Sequence, residues 1–168
     1  MLSDCFRALV TTLLGIVVVL QCQQPAPAAA DPAGGTALPI DPAFEQSVIQ
    51  LVNQQRVEAG CPPVRLNHKL RRAARTHSTA MASALTMTHY LPGEPTLGRR
   101  AAAAGYRGWT LVAENIARGF SSPESVVTAW MNSPSHRHNI LNCRLRDLGV
   151  GVVLNDGQLW WTQDFGRR

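Results

Sequence analysis

The chain has 168 residues, enough for one modest domain, and a net charge of +5 carried almost wholly by arginine. Arg56, Arg71, Arg72, Arg99, Arg100, Arg144 and Arg167 are spread along the sequence, not gathered into a stripe with aromatics. That spread argues against a nucleic-acid partner and, in an exported protein, points to a loose attraction to anionic envelope surfaces.

Residues 1–30 read as a secretory signal peptide. Arg7 precedes an apolar run from Ala8 to Leu20, and Ala28 and Ala30 form an A-x-A cleavage site. The run is too short for the roughly 20 residues that a membrane-spanning helix needs, so no transmembrane segment is expected once the signal is removed. Gln21 stands where lipoprotein cleavage before Cys22 requires a small residue. Cys5 and Cys22 leave with the signal, and Cys61 and Cys143 remain. Two thiols in an oxidising compartment most simply form one disulfide; two separate buried thiols and a catalytic cysteine are the alternatives. Closing so long a loop stabilises the fold by about 4 kcal/mol in the chain-entropy model.

Residues 31–40 (DPAGGTALPI) read as a flexible leader. Order should begin at Asp41, which caps a helix opened by Pro42. Phe44, Val48, Leu51 and Val52 give this helix an apolar stripe, and Glu45 and Gln46 fall on its polar side. Gly60 and Pro62-Pro63 end it around Cys61. A second helix, capped by Asn67 and running to about Ser83, carries Leu70, Ala73, Ala74, His77 and Met81 on its inner stripe, with Arg71, Arg72 and Arg75 outside. His77 is either a core histidine bonded to backbone or a support beneath a nearby pocket. Thr86 to Pro95 is a loop bearing His89, and Thr96 to Ala104 a short helix stopped by Gly105.

Leu111 to Phe120 alternates as a strand, with Glu114 on the side of Val112 and Ile116. Ser122-Pro123 opens a further helix with Glu124 in its first turn, Ser133-Pro134 ends it, and His136 to Leu141 adds a helical turn. Asp147–Leu154 and Gln158–Phe165 are strands joined by Asn155-Asp156-Gly157, a β-hairpin. Helices before and between a few strands give an α+β domain, residues 41–168, with helices packed on a small antiparallel sheet.

H-E-x-x-H, G-x-S-x-G, C-x-x-C and glycine-rich phosphate loops are all absent. What remains is His89, Glu114 and His136 from three different segments. Two imidazoles and a carboxylate can bind a divalent cation such as zinc or act as general acid and base without one. Spacing alone does not bring them together.

Several motifs in order resemble the CAP superfamily of cysteine-rich secretory proteins, antigen 5 and pathogenesis-related protein 1, in its bacterial secreted branch. They are Met87-Thr88-His89, Ala113-Glu114-Asn115-Ile116-Ala117, Trp130-Met131-Asn132-Ser133 and His136-Arg137-x-Asn139-Ile140-Leu141-Asn142. Leu148-Gly149-Val150-Gly151-Val152 and Trp161-Thr162-Gln163-x-Phe165 complete the set. The resemblance implies an α-β-α sandwich with a central cavity lined by two histidines and two acids. Position by position these are His89, Glu114, His136 and, where the second acid belongs, Ser133. It also implies that Cys61 and Cys143 tie the turn after the first helix to the end of the His-bearing segment.

An incomplete tetrad favours a non-catalytic binding or interaction protein, a monomer, taking a lipid, a sterol-like or other apolar ligand, or a protein partner. A metal-dependent hydrolase with His89 and His136 on zinc and Glu114 as base is the alternative. Secretion ends in the medium or at the cell wall, and His138 is a solvent-facing neighbour of the site.

Overall fold

The computed structural model describes residues 39–168; the expected signal peptide and the leader as far as residue 38 lie outside the described residues. The elements run α1 (Pro42–Glu58), β1 (Arg65–Leu66), α2 (His68–Ala84), α3 (Leu97–Ala103), β2 (Leu111–Arg118), α4 (Pro123–Asn132), α5 (Pro134–Ile140), β3 (Asp147–Asn155) and β4 (Gln158–Arg167). Their starts follow local chemistry. The Asp41 carboxylate accepts the Phe44 N–H at 2.9 Å, Asn67 accepts from Lys69 and Leu70, and Ser122 and Ser125 close a reciprocal cap on α4.

The sheet order is β1-β3-β4-β2. β3 and β4 form the expected hairpin and β2 pairs antiparallel to β4. The expectation of a wholly antiparallel sheet is corrected at one edge, where β1 pairs parallel to β3, Arg65 opposite Asp147. Two residues show no alternation, so sequence pattern could not reveal this strand. β1 covers only the start of β3. Further along β3, Pro39 accepts the Leu154 N–H at 3.1 Å and the Asp41 N–H reaches Val152 at 3.2 Å. Pro39 and Ile40, expected in the flexible leader, thus lie along β3, because that edge of β3 offers backbone groups that need partners.

Helices cover both faces, giving an α-β-α sandwich. On one side Leu148, Val150, Val152, Trp161 and Phe165 join α1, α4 and α5 in the main core. On the other, α2 packs Met81 and Ala82 on Ile116, Val153 and Trp160, and α3 packs Ala101 with Leu70 and Tyr106 against Val112. A Cβ on Gly149 would stand 2.0 Å from the Arg71 backbone nitrogen, and one on Gly151 2.4 Å from that of Arg75. The Leu148–Val152 segment carries glycine at alternate positions because α2 lies directly on β3.

Two charges read as surface features are interior. Arg56, fully buried, donates to the carbonyls of Pro62 (3.0 Å), Ile140 (2.6 Å), Asn142 (3.1 Å) and Leu145 (2.9 Å). It gathers the chain around the end of α5, where the Cys61–Cys143 disulfide makes the same connection covalently. Glu45, 1% exposed, takes a two-pronged ion pair from Arg75 at 2.7 Å per contact, joining α1 to α2.

Candidate functional site

β2 is an edge strand, and the site forms where the two helical layers meet along it. Alternation sends Glu114 toward α2 and α3 and Asn115 toward α5. The Glu114 side chain is only 4% exposed, so its strand face is not a solvated one. Its Oε1 lies 2.8 Å from His89 Nδ1, and its Oε2 accepts from Arg100 Nη2. Arg100 also donates to the His89 carbonyl at 3.3 Å and the Pro95 carbonyl at 3.1 Å, which ties the loop to α3 at His89 and at its end.

Beneath this pair sits His77. Its Nδ1 is 2.8 and 2.9 Å from the two Glu94 oxygens, and its Nε2 is 3.9 Å from Glu114. The partner of this buried histidine is thus a carboxylate, not a backbone group, and it supports the site from below.

Asp164 completes the cluster from β4, directly across the strand pair from Glu114. It is fully buried and neither of its carboxyl oxygens has a hydrogen-bond partner. Burial first, then the Glu114 charge, pushes Asp164 well above the carboxylate range and favours its neutral form. For Glu114, burial opposes ionisation, but the His89 hydrogen bond and the Arg100 and His77 charges outweigh it and hold its carboxyl below the ordinary value.

The α5 half is built differently. His136 Nδ1 lies 2.8 Å from the Ser133 hydroxyl. Burial, then the neighbouring His89, lowers the His136 pKa and favours the neutral ring. Three amides hold α5 to the sheet. Asn115 Nδ2 donates to the His136 carbonyl at 3.2 Å and to Gln163 at 3.1 Å. Asn139 donates to the Glu114 carbonyl at 3.1 Å and to Asn115 Oδ1 at 2.9 Å. His138 is exposed.

The structure therefore joins His89 to Glu114 and His136 to Ser133. Sequence reasoning missed Glu94, Arg100 and Asp164. Arg100 passed for one of the scattered arginines, although an arginine beginning the Ala101–Ala104 run was a signal of burial. Asp164 stood at the variable position of the Trp161–Phe165 motif, where its only sign was a charge between inward-facing strand residues.

As they stand, these side chains do not supply the three protein ligands of a zinc site. Nδ1 of each histidine bonds a protein partner and leaves Nε2 for a ligand, but the Glu114 oxygens are taken by His89 and Arg100. Among the described residues no group of three or more His, Cys, Asp or Glu side chains is arranged to hold a metal. Two grooves, of about 500 and 300 Å³, lie away from the site; neither is lined by His89, Glu114, Ser133 or His136.

Sandwich topology and this pair of histidines define a class. The sequence profile of the cysteine-rich secretory protein family, CAP, matches residues 49–165, and the chain belongs to that family. It is 36% identical over 127 residues to Bacillus subtilis YkwD, a match covering 74% of this chain and 48% of the relative. It is 28% identical over 124 residues to the B. subtilis membrane protein YlbC, covering 74% and 34%. The chain thus matches half or less of the length of these relatives. Among solved structures it resembles an extracellular SCP-domain protein from Bacillus anthracis (TM-score 0.68, 30% identity, 75% of this chain and 41% of that one). It also shares its fold with an outer surface protein from Borrelia burgdorferi (TM-score 0.67, 24% identity, 73% and 91%).

Proposed function

We propose that the chain is an exported, non-catalytic binding protein whose contact surface is the His89–His136 face of the sandwich, and whose ligand is a lipid or another small apolar molecule. The observation that carries this reading is the rim around His89. Leu85, Met87 and Tyr90 are 53%, 50% and 63% exposed on the loop that Arg100 anchors. An anchored loop with three exposed apolar side chains offers apolar contact at little ordering cost. Ser133 in place of an acid supports binding over hydrolysis, because no carboxylate orients His136. Export follows from the signal-like residues 1–30 and from extracellular relatives. Among the described residues no helix is long and apolar enough to cross a membrane.

The test is mass spectrometry of molecules extracted from the protein purified from the culture medium, followed by titration of the recovered ligand onto the mature chain. Met87→Ser/Tyr90→Ser should lose the ligand while keeping the wild-type fold. Recovery of no apolar molecule, together with no binding of lipid by the mature chain, overturns the reading. Stoichiometric zinc binding lost in His89→Ala and His136→Ala would replace it with the hydrolase.

A further inference from the structure

The second site lies at the opposite edge of the sheet and rests on the charge of α2. This helix has 17 residues and no Asp or Glu, yet carries Lys69, Arg71, Arg72 and Arg75. Three of these basic residues fall within its first five positions. Cations there oppose the positive end of the helix dipole, which favours anions. α1 obeys the dipole, with Glu45 in its first turn and Arg56 in its last; α2 violates it. Local rules are broken most often where function requires it.

Helical periodicity sets these side chains along one face of α2. His68, Arg71, Arg72, Arg75, Thr76 and Thr79 line one groove of about 500 Å³ together with Ile40 from the segment before α1. Arg75 is neutralised by Glu45, and Arg72 donates one Nη2 to the Ala104 carbonyl without losing its charge. Arg71 and His68 have no side-chain hydrogen bond or ion pair among the described residues, and no acid other than Glu45 pairs with the groove's cations. The Thr76 hydroxyl donates to the Arg72 carbonyl at 3.0 Å, so the groove presents the positive charges of Arg71 and Arg72, the His68 imidazole and the Thr79 hydroxyl, without compensating carboxylates.

Its length selects the ligand. From His68 to Thr79 the helix rises by about 16 Å, three turns, whereas a single tetrahedral anion reaches across roughly one turn of about 5.4 Å. The concave shape, with Ile40 the one aliphatic side chain in the lining, suits a threaded chain better than the plane of a bilayer. We propose that the α2 groove binds a linear phosphate-bearing polymer, seated along His68, Arg71, Arg72 and the Thr79 hydroxyl. The site is independent of the His89–His136 face, so one molecule can hold the polymer at one sheet edge and a second ligand at the other.

Short-chain inorganic polyphosphate titrated onto the mature chain by calorimetry, at low and at physiological salt, is the test. Binding should weaken with salt, and Arg71→Gln/Arg72→Gln should weaken it about tenfold and reduce the log–log salt slope by about two. Thr79→Glu, which places a carboxylate in the groove and keeps every arginine, should produce a similar loss. Arg137→Gln/Arg144→Gln removes the same charge from exposed positions in and beyond α5, on the other helical layer, and should bind as wild type does. Far-ultraviolet circular dichroism establishes that each variant is folded. Three results would overturn the proposal: no polyphosphate binding at low salt, equal weakening in the Arg137/Arg144 control, or binding to phosphatidylglycerol vesicles through Arg71 and Arg72 without binding to polyphosphate. Orthophosphate matching polyphosphate at equal phosphate concentration would also overturn the polymer assignment.

Discussion

The two histidines of the candidate site touch the same sheet edge but are held by opposite physics. His89 caps a buried ionic cluster, Glu114–Arg100–Glu94–His77, with the buried Asp164 carboxyl across the strand pair from Glu114. His136 belongs to a neutral network of Ser133, Asn115, Asn139 and Gln163. Buried charges are costly unless every one is paired, whereas an amide network loses only a modest amount with each bond removed. One half of the site should therefore fail abruptly on mutation and the other gradually. Ser133 is the reason for the asymmetry: an acid there would bring a second charge to a half that otherwise has none.

The largest expected effect tests the covalent support of the neutral half. Cys61→Ser/Cys143→Ser should cost about 4 kcal/mol of stability by the loop-closure model. The loss should be read in urea, with the His136 ring resonance broadened more than that of His89. Next comes the ionic half. Arg100→Met leaves Glu114 and Glu94 without their cation and should cost about 3 kcal/mol. A loss no greater than that of a surface arginine such as Arg144 would break the comparison.

Titration separates the halves further. Asp164 is raised above its ordinary 3.8, so its contribution to stability is full at pH below that value and is lost as pH rises through the raised one. Glu114 is lowered from 4.5, and its contribution is present above that value and lost as pH falls. Asp164→Asn keeps the size of the side chain but cannot ionise. Its urea midpoint should decline less than wild type toward alkaline pH, and an identical decline would show that Asp164 is ionised in the native protein.

The smallest effect is expected at Ser133. Ser133→Ala removes one partly buried hydrogen bond and should cost about 1 kcal/mol. Ser133→Asp should raise the His136 pKa, now lowered from 6.5, by placing a carboxylate beside the ring. Titration of the ring protons by nuclear magnetic resonance measures the direction. An unchanged His136 titration in Ser133→Asp would mean that the two side chains do not meet in solution.

Much of this was legible beforehand because it is local. Asp41-Pro42, Asn67 and Ser122-Pro123 mark helix starts through their own side chains and rings, and Asp156-Gly157 marks the hairpin, both residues adopting positive φ. The alternation of β2 put Glu114 and Asn115 on opposite faces, as found. β1 was illegible because its two residues are strand only by virtue of β3 beside them. Glu45 and Arg56 looked like surface charges because a sequence shows polarity but not the distant partner that makes burial tolerable.

By itself the sequence determined the family, the caps and the hairpin, since each is written in short-range pattern or motif. Only the tertiary structure decided that Asp164 lies across from Glu114 and that Arg100 and His77 approach it. The reason is physical: charge pairing depends on distances of a few ångströms between residues far apart in the chain, and those distances exist only once the sheet register and the seat of α2 on Gly149 and Gly151 are fixed.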